Sequence, residues 1–377
     1  MVGTSFSVFD RNSGLVGKLR AISWPFLVMI CLLGLVGEVA LYSAADGSWY
    51  PWAVRQGIRF GIALVAVIAI ALVDVRHLAR LAYPAYAASL ALLLWVELAG
   101  HVGMGAQRWL DLGIIQLQPS ELCKITLVMA LARYFHGLDN DDVERIGSLI
   151  VPVLLTAFPV ALVALQPDLG TAVILGVLGV VMMFLAGVKL WKFFAVGGAS
   201  VAAIPFVWQF LKDYQRQRVL TFLNPETDPL GAGWNTIQAK IALGSGGIGG
   251  KGFLQGTQSH LNFLPEAHTD FIFTLLAEEW GLIGAGIVLV LFALIIAYGY
   301  TVALRSRNYF GRLLAIGVTA NLFFYVFINV AMVTGLIPVV GVPLPLVSYG
   351  GTALLAVMLG FGLIMSVLVH RDQRVPR

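Results

Sequence analysis

The chain has 377 residues, of which 59% are hydrophobic and only 12% carry a charge, with a formal net charge of +4. This composition excludes a soluble globular protein and is typical of a chain that crosses a membrane many times. The small positive excess predicts no nucleic-acid partner, because its distribution follows membrane topology.

Apolar runs of about 18 residues or more mark candidate membrane helices. The sequence contains ten such runs, at 22–44, 56–74, 80–100, 118–135, 148–165, 170–188, 191–211, 271–303, 311–335 and 348–369. We therefore predict an all-α membrane protein with ten transmembrane helices, forming one domain over residues 1–377. A long polar loop, about 212–270, would separate helices seven and eight.

Positive charges sort the loops by side of the membrane. With ten crossings, fifteen of the 24 Lys and Arg residues fall in the termini and in the loops on the same side. Outside the long loop, the opposite side carries only Arg55, Arg59, Arg108 and Lys124. Because loops rich in Lys and Arg stay in the cytoplasm, the sequence predicts two cytoplasmic termini and places the long loop on the far side.

The outer loop at 101–120 contains Arg108 and Trp109 and leads into a helix that carries Glu121 and Lys124. Glu121 and Lys124 are three residues apart and share one helix face, so they could form a purely structural ion pair. Arg108 and Lys124 are also among the few outer cations, which favours binding of a phosphate at the interface. Both interpretations are open.

The next outer turn reads Gln166-Pro167-Asp168-Leu169-Gly170. Asp168 could simply cap the sixth membrane helix. It is also a second outer carboxylate, so a functional role is equally open.

The long loop contains a glycine-rich run at 244–252, preceded by a predicted short interfacial helix, 237–243, that carries Lys240. No strand precedes the glycines and the Walker pattern fails, which excludes a nucleotide site. We predict instead that these glycines let the backbone lie close to another surface.

The long loop ends at Glu266, His268, Thr269 and Asp270, directly before a helix predicted to begin at Phe271. Partial burial at this junction would raise the pKa of Asp270 above about 3.9, which suits a general base near neutral pH. Thr269 or Asp270 would also be an ordinary N-cap, where the helix dipole lowers the pKa instead. We favour chemistry at Asp270.

The last outer loop, 335–351, is rich in proline and glycine and contains Ser348 and Tyr349. Irregular backbone at membrane depth is tolerated only where it packs in protein or lines a cavity. Ser348 and Tyr349 are therefore either cavity-lining polar groups or partners of the freed backbone.

Four motifs together resemble the SEDS family (shape, elongation, division and sporulation), and the resemblance covers essentially the whole chain. They are Gln118-Pro119-Ser120-Glu121, Gln166-Pro167-Asp168-Leu169-Gly170, Glu266-Ala267-His268-Thr269-Asp270-Phe271-Ile272-Phe273 and Pro345-Leu346-Val347-Ser348-Tyr349-Gly350-Gly351. Within the family, residues 256–260 and 342–345 resemble the members of cell elongation more than those of division.

The resemblance implies a peptidoglycan glycosyltransferase that polymerises lipid II at the periplasmic face of the bacterial inner membrane and releases undecaprenyl pyrophosphate. It implies Asp270 as the essential residue, and a class B penicillin-binding protein as the partner that supplies the transpeptidase. A divalent cation (Mg or Mn) bridging carboxylate and pyrophosphate is a further expectation, although no protein-held metal site is predicted. The predicted substrate-binding residues are Arg108, Trp109, Glu121, Lys124, Asp168, Lys240, Glu266, His268, Ser348 and Tyr349.

Two other functions fit a many-helix bundle with buried charges. One is a transporter that flips lipid II across the membrane, and the other is a non-catalytic scaffold for a penicillin-binding protein. Polymerisation of lipid II in detergent would distinguish an enzyme from a transporter. Loss of function in Asp270→Asn would distinguish an enzyme from a scaffold.

Overall fold

The computed structural model describes residues 14–99, 101–103, 106–111, 116–210, 216, 234–261, 263–264 and 266–376. Most of this chain is helical, because a helix satisfies its own backbone hydrogen bonds, as a membrane requires. The helices are α1 (Leu15–Ala21), α2 (Trp24–Ala44), α3 (Ala53–Ala71), α4 (Val75–Ala99), α5 (Pro119–His136), α6 (Asn140–Val143), α7 (Ile150–Leu165), α8 (Leu169–Leu185), α9 (Leu190–Phe210), α10 (Trp234–Gly246), α11 (Thr257–His260), α12 (Ile272–Arg305), α13 (Tyr309–Val333) and α14 (Gly351–Val369).

The prediction of an all-α fold needs one correction. A small antiparallel sheet of three strands, in the order β1 (His101–Gly103), β2 (Ala106–Asp111) and β3 (Gln116–Leu117), joins α4 to α5. Its ladder pairs Val102 with Gln107 and Leu110 with Leu117. Backbone N–H and C=O groups of a loop close to lipid need hydrogen-bond partners, and strand pairing supplies them. These strands are far shorter than the apolar runs from which the helices were predicted.

Seven helices in the described ranges are long and apolar enough to cross a membrane: α2, α3, α4, α7 with the turn before it, α12, α13 and α14. The protein is therefore a multi-pass membrane protein. The remaining predicted runs overlap α5, α8 and α9. Because α5 carries three charges, at Glu121, Lys124 and Arg133, and α8 is only 17 residues long, ten crossings stay a prediction.

The centre of the bundle is formed by α13 and α14. Within an 18-residue apolar stretch of each helix, 67% of the residues are buried in α13 and 72% in α14, against 22% in α3. On α5, Glu121 and Lys124 are buried together with most of the apolar residues. Two charged groups of the predicted site therefore reach the protein interior on α5.

The glycine-rich run after α10 is docked on α12. Helix α12 is interrupted at Gly281, whose φ of 65° and ψ of −165° favour glycine. At this break the N–H of Leu282 donates to the carbonyl of Gly247 (2.9 Å), and the N–H of Lys251 donates to the carbonyl of Glu278 (3.0 Å). A Cβ on Gly246 would overlap the carbonyl oxygen of Ala277, and one on Gly250 would overlap that of Glu279. The prediction that the glycines of this run permit close approach is therefore confirmed.

The loop between α13 and α14 is irregular and packed within the protein, as predicted. Residues 336–350 contain no helix or strand, and Leu344, Leu346 and Val347 are buried. The loop lies against Gly37 of α2, where a Cβ would stand 2.8 Å from the Cα of Val347. This packing brings the loop beside the segment that precedes α12.

Candidate active site

Asp270 lies in a tight turn, residues 266–271, directly before α12. The N–H groups of Thr269 (3.1 Å) and Phe271 (3.4 Å) both donate to the carbonyl of Glu266. The hydroxyl of Thr269 donates to the Glu266 carboxylate at 3.0 Å. Glu266 has a φ of +59°, in the left-handed region that few residues other than glycine adopt. The turn thus stores backbone strain close to Asp270, as functional sites often do.

The capping interpretation of Thr269 and Asp270 is wrong. The residue that precedes the first helical residue is Phe271, which has no side chain able to cap a helix. The carboxylate of Asp270 accepts no hydrogen bond from the part of the chain that the structure describes. Because no backbone N–H of the described residues donates to it, this carboxylate is available to a substrate.

The surroundings of Asp270 raise its pKa to about 6. Burial is the largest cause, the negative charges of Glu266 and Asp168 add to it, and the positive charge of Arg108 opposes it. A carboxyl group with this pKa is mostly ionised at neutral pH and still binds a proton well, which is the compromise that a general base needs.

Arg108 and Asp168 meet at the turn between α7 and α8. Asp168 caps α8, accepting from the N–H (3.3 Å) and the hydroxyl (3.0 Å) of Thr171. Arg108, on β2, donates to the carbonyl of Gln166 at 3.4 Å, and its guanidinium lies 3.9 Å from the Asp168 carboxylate. The structure therefore gives Asp168 the capping role and also brings its charge close enough to act on Asp270.

His268 is stacked on Trp52, with ring centroids 4.1 Å apart and planes at 10°. Burial lowers the pKa of His268, and Glu266, whose carboxylate is 3.9 Å away, opposes this shift. The guanidinium of Arg59 lies 5.2 Å from the ring centroid of Tyr349. His268 and Tyr349, together with Trp52 and Arg59, thus form one side of the site, which presents aromatic rings and a positive charge.

Sequence reasoning missed Trp52, Gln56 and Arg59 as site residues. They are four and three positions apart, so they share one face at the start of α3, and this spacing was the available signal. Gln56 is buried and donates to the backbone carbonyl of Ser348 at 3.0 Å.

Ser348 connects the last loop to the Asp270 turn. Its hydroxyl donates to the carbonyl of Thr269 at 2.6 Å and accepts from the N–H of Leu344 at 2.7 Å. The N–H of Tyr349 donates to the carbonyl of His268 at 2.9 Å. Both predicted residues are therefore close to Asp270, where they hold its backbone.

Glu121 and Lys124 form a buried ion pair of 2.7 Å, with 4% and 1% of their side chains exposed. The hydroxyl of Tyr325 donates to Glu121, and the ammonium of Lys124 lies 4.1 Å from the Tyr325 ring centroid. The structure thus shows the ion pair that the spacing allows. Phosphate binding by Lys124 stays a prediction, because a ligand would have to displace Glu121.

The remaining predicted residues are Lys240 and Trp109. Lys240 is exposed on α10, and its ammonium is packed against Gly335 after α13. Trp109 is partly exposed on β2 beside Arg108. The predicted helix around Lys240 is confirmed, and at Trp234–Gly246 it is longer than the predicted 237–243. Residues 217–233 of the long loop fall outside the described residues.

The carboxylates of the site do not form a metal cage. In the described residues no group of three or more His, Cys, Asp or Glu side chains is arranged to hold a metal ion. Asp168 is engaged by Thr171 and, at 3.3 Å, by the amide of Gln118. The residues present therefore do not fit a metal held by protein ligands alone.

Comparisons with known proteins identify the family of this chain. The profile of the FtsW, RodA and SpoVE cell cycle proteins matches residues 19–373. The peptidoglycan glycosyltransferase MrdB of Escherichia coli K12 is 46% identical over 92% of this chain and 94% of its own.

Two solved structures have the same fold. A chain of a peptidoglycan synthase complex that coordinates polymerization and crosslinking has a TM-score of 0.81 and 35% identity, covering 94% of this chain and 99% of that one. The rod shape determining protein RodA of Thermus thermophilus has a TM-score of 0.71 and 31% identity, covering 94% and 98%. The chain belongs to the FtsW, RodA and SpoVE family, which is the SEDS family.

Proposed function

We propose that this protein is a peptidoglycan glycosyltransferase that polymerises lipid II during cell elongation, with Asp270 as its general base. The observation that carries the proposal is the partly buried Asp270 carboxyl, with a pKa of about 6 and no hydrogen-bonding neighbour in the described chain. Family membership and the activity named for relatives such as MrdB support the substrate class.

In the proposed reaction Asp270 takes the proton of the acceptor 4-hydroxyl on N-acetylglucosamine. The freed oxygen forms a bond to the anomeric carbon of the donor sugar. The bond from that carbon to the pyrophosphate oxygen breaks, and undecaprenyl pyrophosphate leaves with the electron pair. General-base assistance of this kind is worth about 10²- to 10⁴-fold in rate.

The departing pyrophosphate needs positive charge close to the carboxylate. Arg108 fits this role best, because it is the cation that acts on the pKa of Asp270 and is 30% exposed. Arg59, whose guanidinium lies over the Tyr349 ring, is a second candidate. We keep Lys124 and Lys240 as weaker candidates, since the first is paired with Glu121 and the second lies against Gly335.

We propose further roles for the predicted residues around the Asp270 carboxylate and the Arg108 guanidinium. Glu266 and Asp168 keep the pKa of Asp270 high, and Trp109 and His268 offer ring surfaces for sugar. Mg²⁺ commonly uses one or two carboxylates together with substrate phosphates. A divalent cation would therefore enter with the pyrophosphate, and no step above depends on it.

We further propose the topology predicted from charge: ten crossings of the bacterial inner membrane, both termini in the cytoplasm and Asp270 on the periplasmic side. A substrate with a lipid anchor and a sugar head group requires a site at such a junction. The proposed partner is a class B penicillin-binding protein, supported by the likeness to a synthase complex of polymerization and crosslinking.

The test is polymerisation of lipid II by the purified full-length chain in detergent, with and without a partner transpeptidase whose own active site is disabled. We expect glycan strands in at least one of these reactions. A flippase yields none in detergent because it needs two compartments, and a scaffold yields none without a second enzyme. Absence of glycan in both reactions would refute the proposal.

The charges around Asp270 predict opposite pH shifts for two variants. Removing the negative charge in Glu266→Gln lowers the pKa of Asp270, so the acid limb of kcat/KM moves from about pH 6 to lower pH. Gln keeps an oxygen that accepts from Thr269. Arg108→Ala removes a positive charge that lowers the pKa of Asp270, so the acid limb of kcat/KM in this variant moves to higher pH. Rate profiles between pH 4.5 and 8 check both shifts, and limbs that move in the same direction contradict the assignment.

A further inference from the structure

Asn329 is a buried amide on α13 that contacts the backbone of Asp270. Its side-chain nitrogen donates to the carbonyl oxygen of Asp270 at 2.9 Å and to that of Val342 at 2.7 Å. None of its surface is exposed. One side chain therefore joins the turn before α12 to the loop between α13 and α14.

The two acceptors determine which way this amide faces. Swapping its oxygen and nitrogen would set the oxygen against two carbonyl oxygens, with no donor between them. In the orientation observed, the amide oxygen is buried and has no partner in the described part of the chain. An unpaired buried acceptor costs stability, so what Asn contributes here is its pair of N–H donors.

Asn329 completes a set of three contacts on consecutive carbonyls. The carbonyl of His268 is held by the N–H of Tyr349 and that of Thr269 by the hydroxyl of Ser348. The carbonyl of Asp270 is held by Asn329. Each donor comes from outside the turn, so the orientation of these peptide groups is set by α13 and by the loop before α14.

The second contact of Asn329 lies next to the carboxylate itself. Val342 follows Gly341, where a Cβ would stand only 3.3 Å from an Asp270 carboxylate oxygen. By holding residues 270 and 342 together, Asn329 sets both the backbone that carries the carboxylate and the backbone that the carboxylate faces.

We infer that Asn329 is a positioning residue that holds the Asp270 carboxylate in its reactive orientation, an inference that rests on the proposed catalytic role of Asp270. Asn329 itself touches no substrate in this assignment. A misplacement of about 1 Å at a reacting group costs about 100-fold in rate, and loss of the hydrogen bonds to the carbonyls of Asp270 and Val342 permits such a shift.

The test is Asn329→Leu, which keeps the approximate shape and removes both donors. We expect kcat for lipid II polymerisation to fall about 10- to 100-fold, while KM stays within about threefold, because binding surfaces are unchanged. The matched control is Asn321→Leu, on the same helix, where the amide oxygen is likewise buried without a partner in the described residues. Its kcat should stay within about twofold of wild type, since it has no contact with residue 270.

Folding is checked by thermal unfolding and gel filtration in detergent. If the leucine variant cannot be purified, Asn329→Ser carries the test alone: its single hydroxyl can hold one carbonyl, so kcat should be intermediate. A wild-type kcat in a folded Asn329 variant, or an equal loss in Asn321→Leu, overturns the inference. Asp270→Asn is assayed in parallel: if it is active, the proposed base role of Asp270 fails and this inference fails with it, and if it is inactive while Asn329 variants are normal, only this inference fails.

Discussion

Asp270→Asn is expected to lower the polymerisation rate by at least about 100-fold, the contribution of a positioned general base. The change is nearly isosteric and removes only the group that accepts the proton. Because the carboxylate accepts no hydrogen bond from the described residues, the variant should fold and purify as the wild type does. The initial rate of glycan formation from lipid II in detergent measures the effect.

Asp111→Asn is the matched control for this experiment. Asp111 is an exposed carboxylate on β2, three residues from Arg108, and has no proposed role in catalysis. Its rate should stay within about twofold of wild type. Normal glycan synthesis by folded Asp270→Asn would show that Asp270 is not the base. An equal loss of rate in Asp111→Asn would show that the loss is not specific to Asp270.

Long apolar runs were sufficient to locate the seven helices of the described residues that are long and apolar enough to cross a membrane, because about 20 apolar residues in lipid have few options other than a helix. The same reasoning could not find the break in α12. Gly281 departs from helical geometry only because the docked turn at 247–251 supplies the hydrogen bonds that the break releases. That compensation comes from a distant segment and leaves no periodic signal in α12.

The candidate site was predictable only in part. Asp270 was chosen as the candidate base because a carboxylate directly before a long apolar helix is costly and therefore informative. Asn329 and Arg59 come from helices that precede or follow Asp270 by many residues, and an Asn within an apolar helix is most simply explained by a hydrogen bond inside the bundle. Capping by Thr269 or Asp270 was an alternative that residue type favours, but the helix begins at Ile272 and its N-cap is Phe271, so both residues lie outside it.

Lys124→Ala is expected to lower both stability and turnover, and to lower turnover more than Arg55→Ala does. Removing the ammonium leaves Glu121 buried with an uncompensated charge, which costs about 3–5 kcal/mol. Arg55 is exposed at the start of α3, so its loss should change neither property appreciably. Thermal unfolding in detergent and the rate of polymerisation measure the two effects.

The double variant Glu121→Gln, Lys124→Met separates the two roles of Lys124. It removes both charges, and Gln still accepts from the Tyr325 hydroxyl, so stability should recover whether or not Lys124 binds phosphate. If Lys124 binds the pyrophosphate, turnover stays low and KM for lipid II rises, because Met offers no charge to the ligand. Recovery of turnover together with stability would instead assign Lys124 to the ion pair alone, and Arg108 would then be the cation on which the leaving group depends.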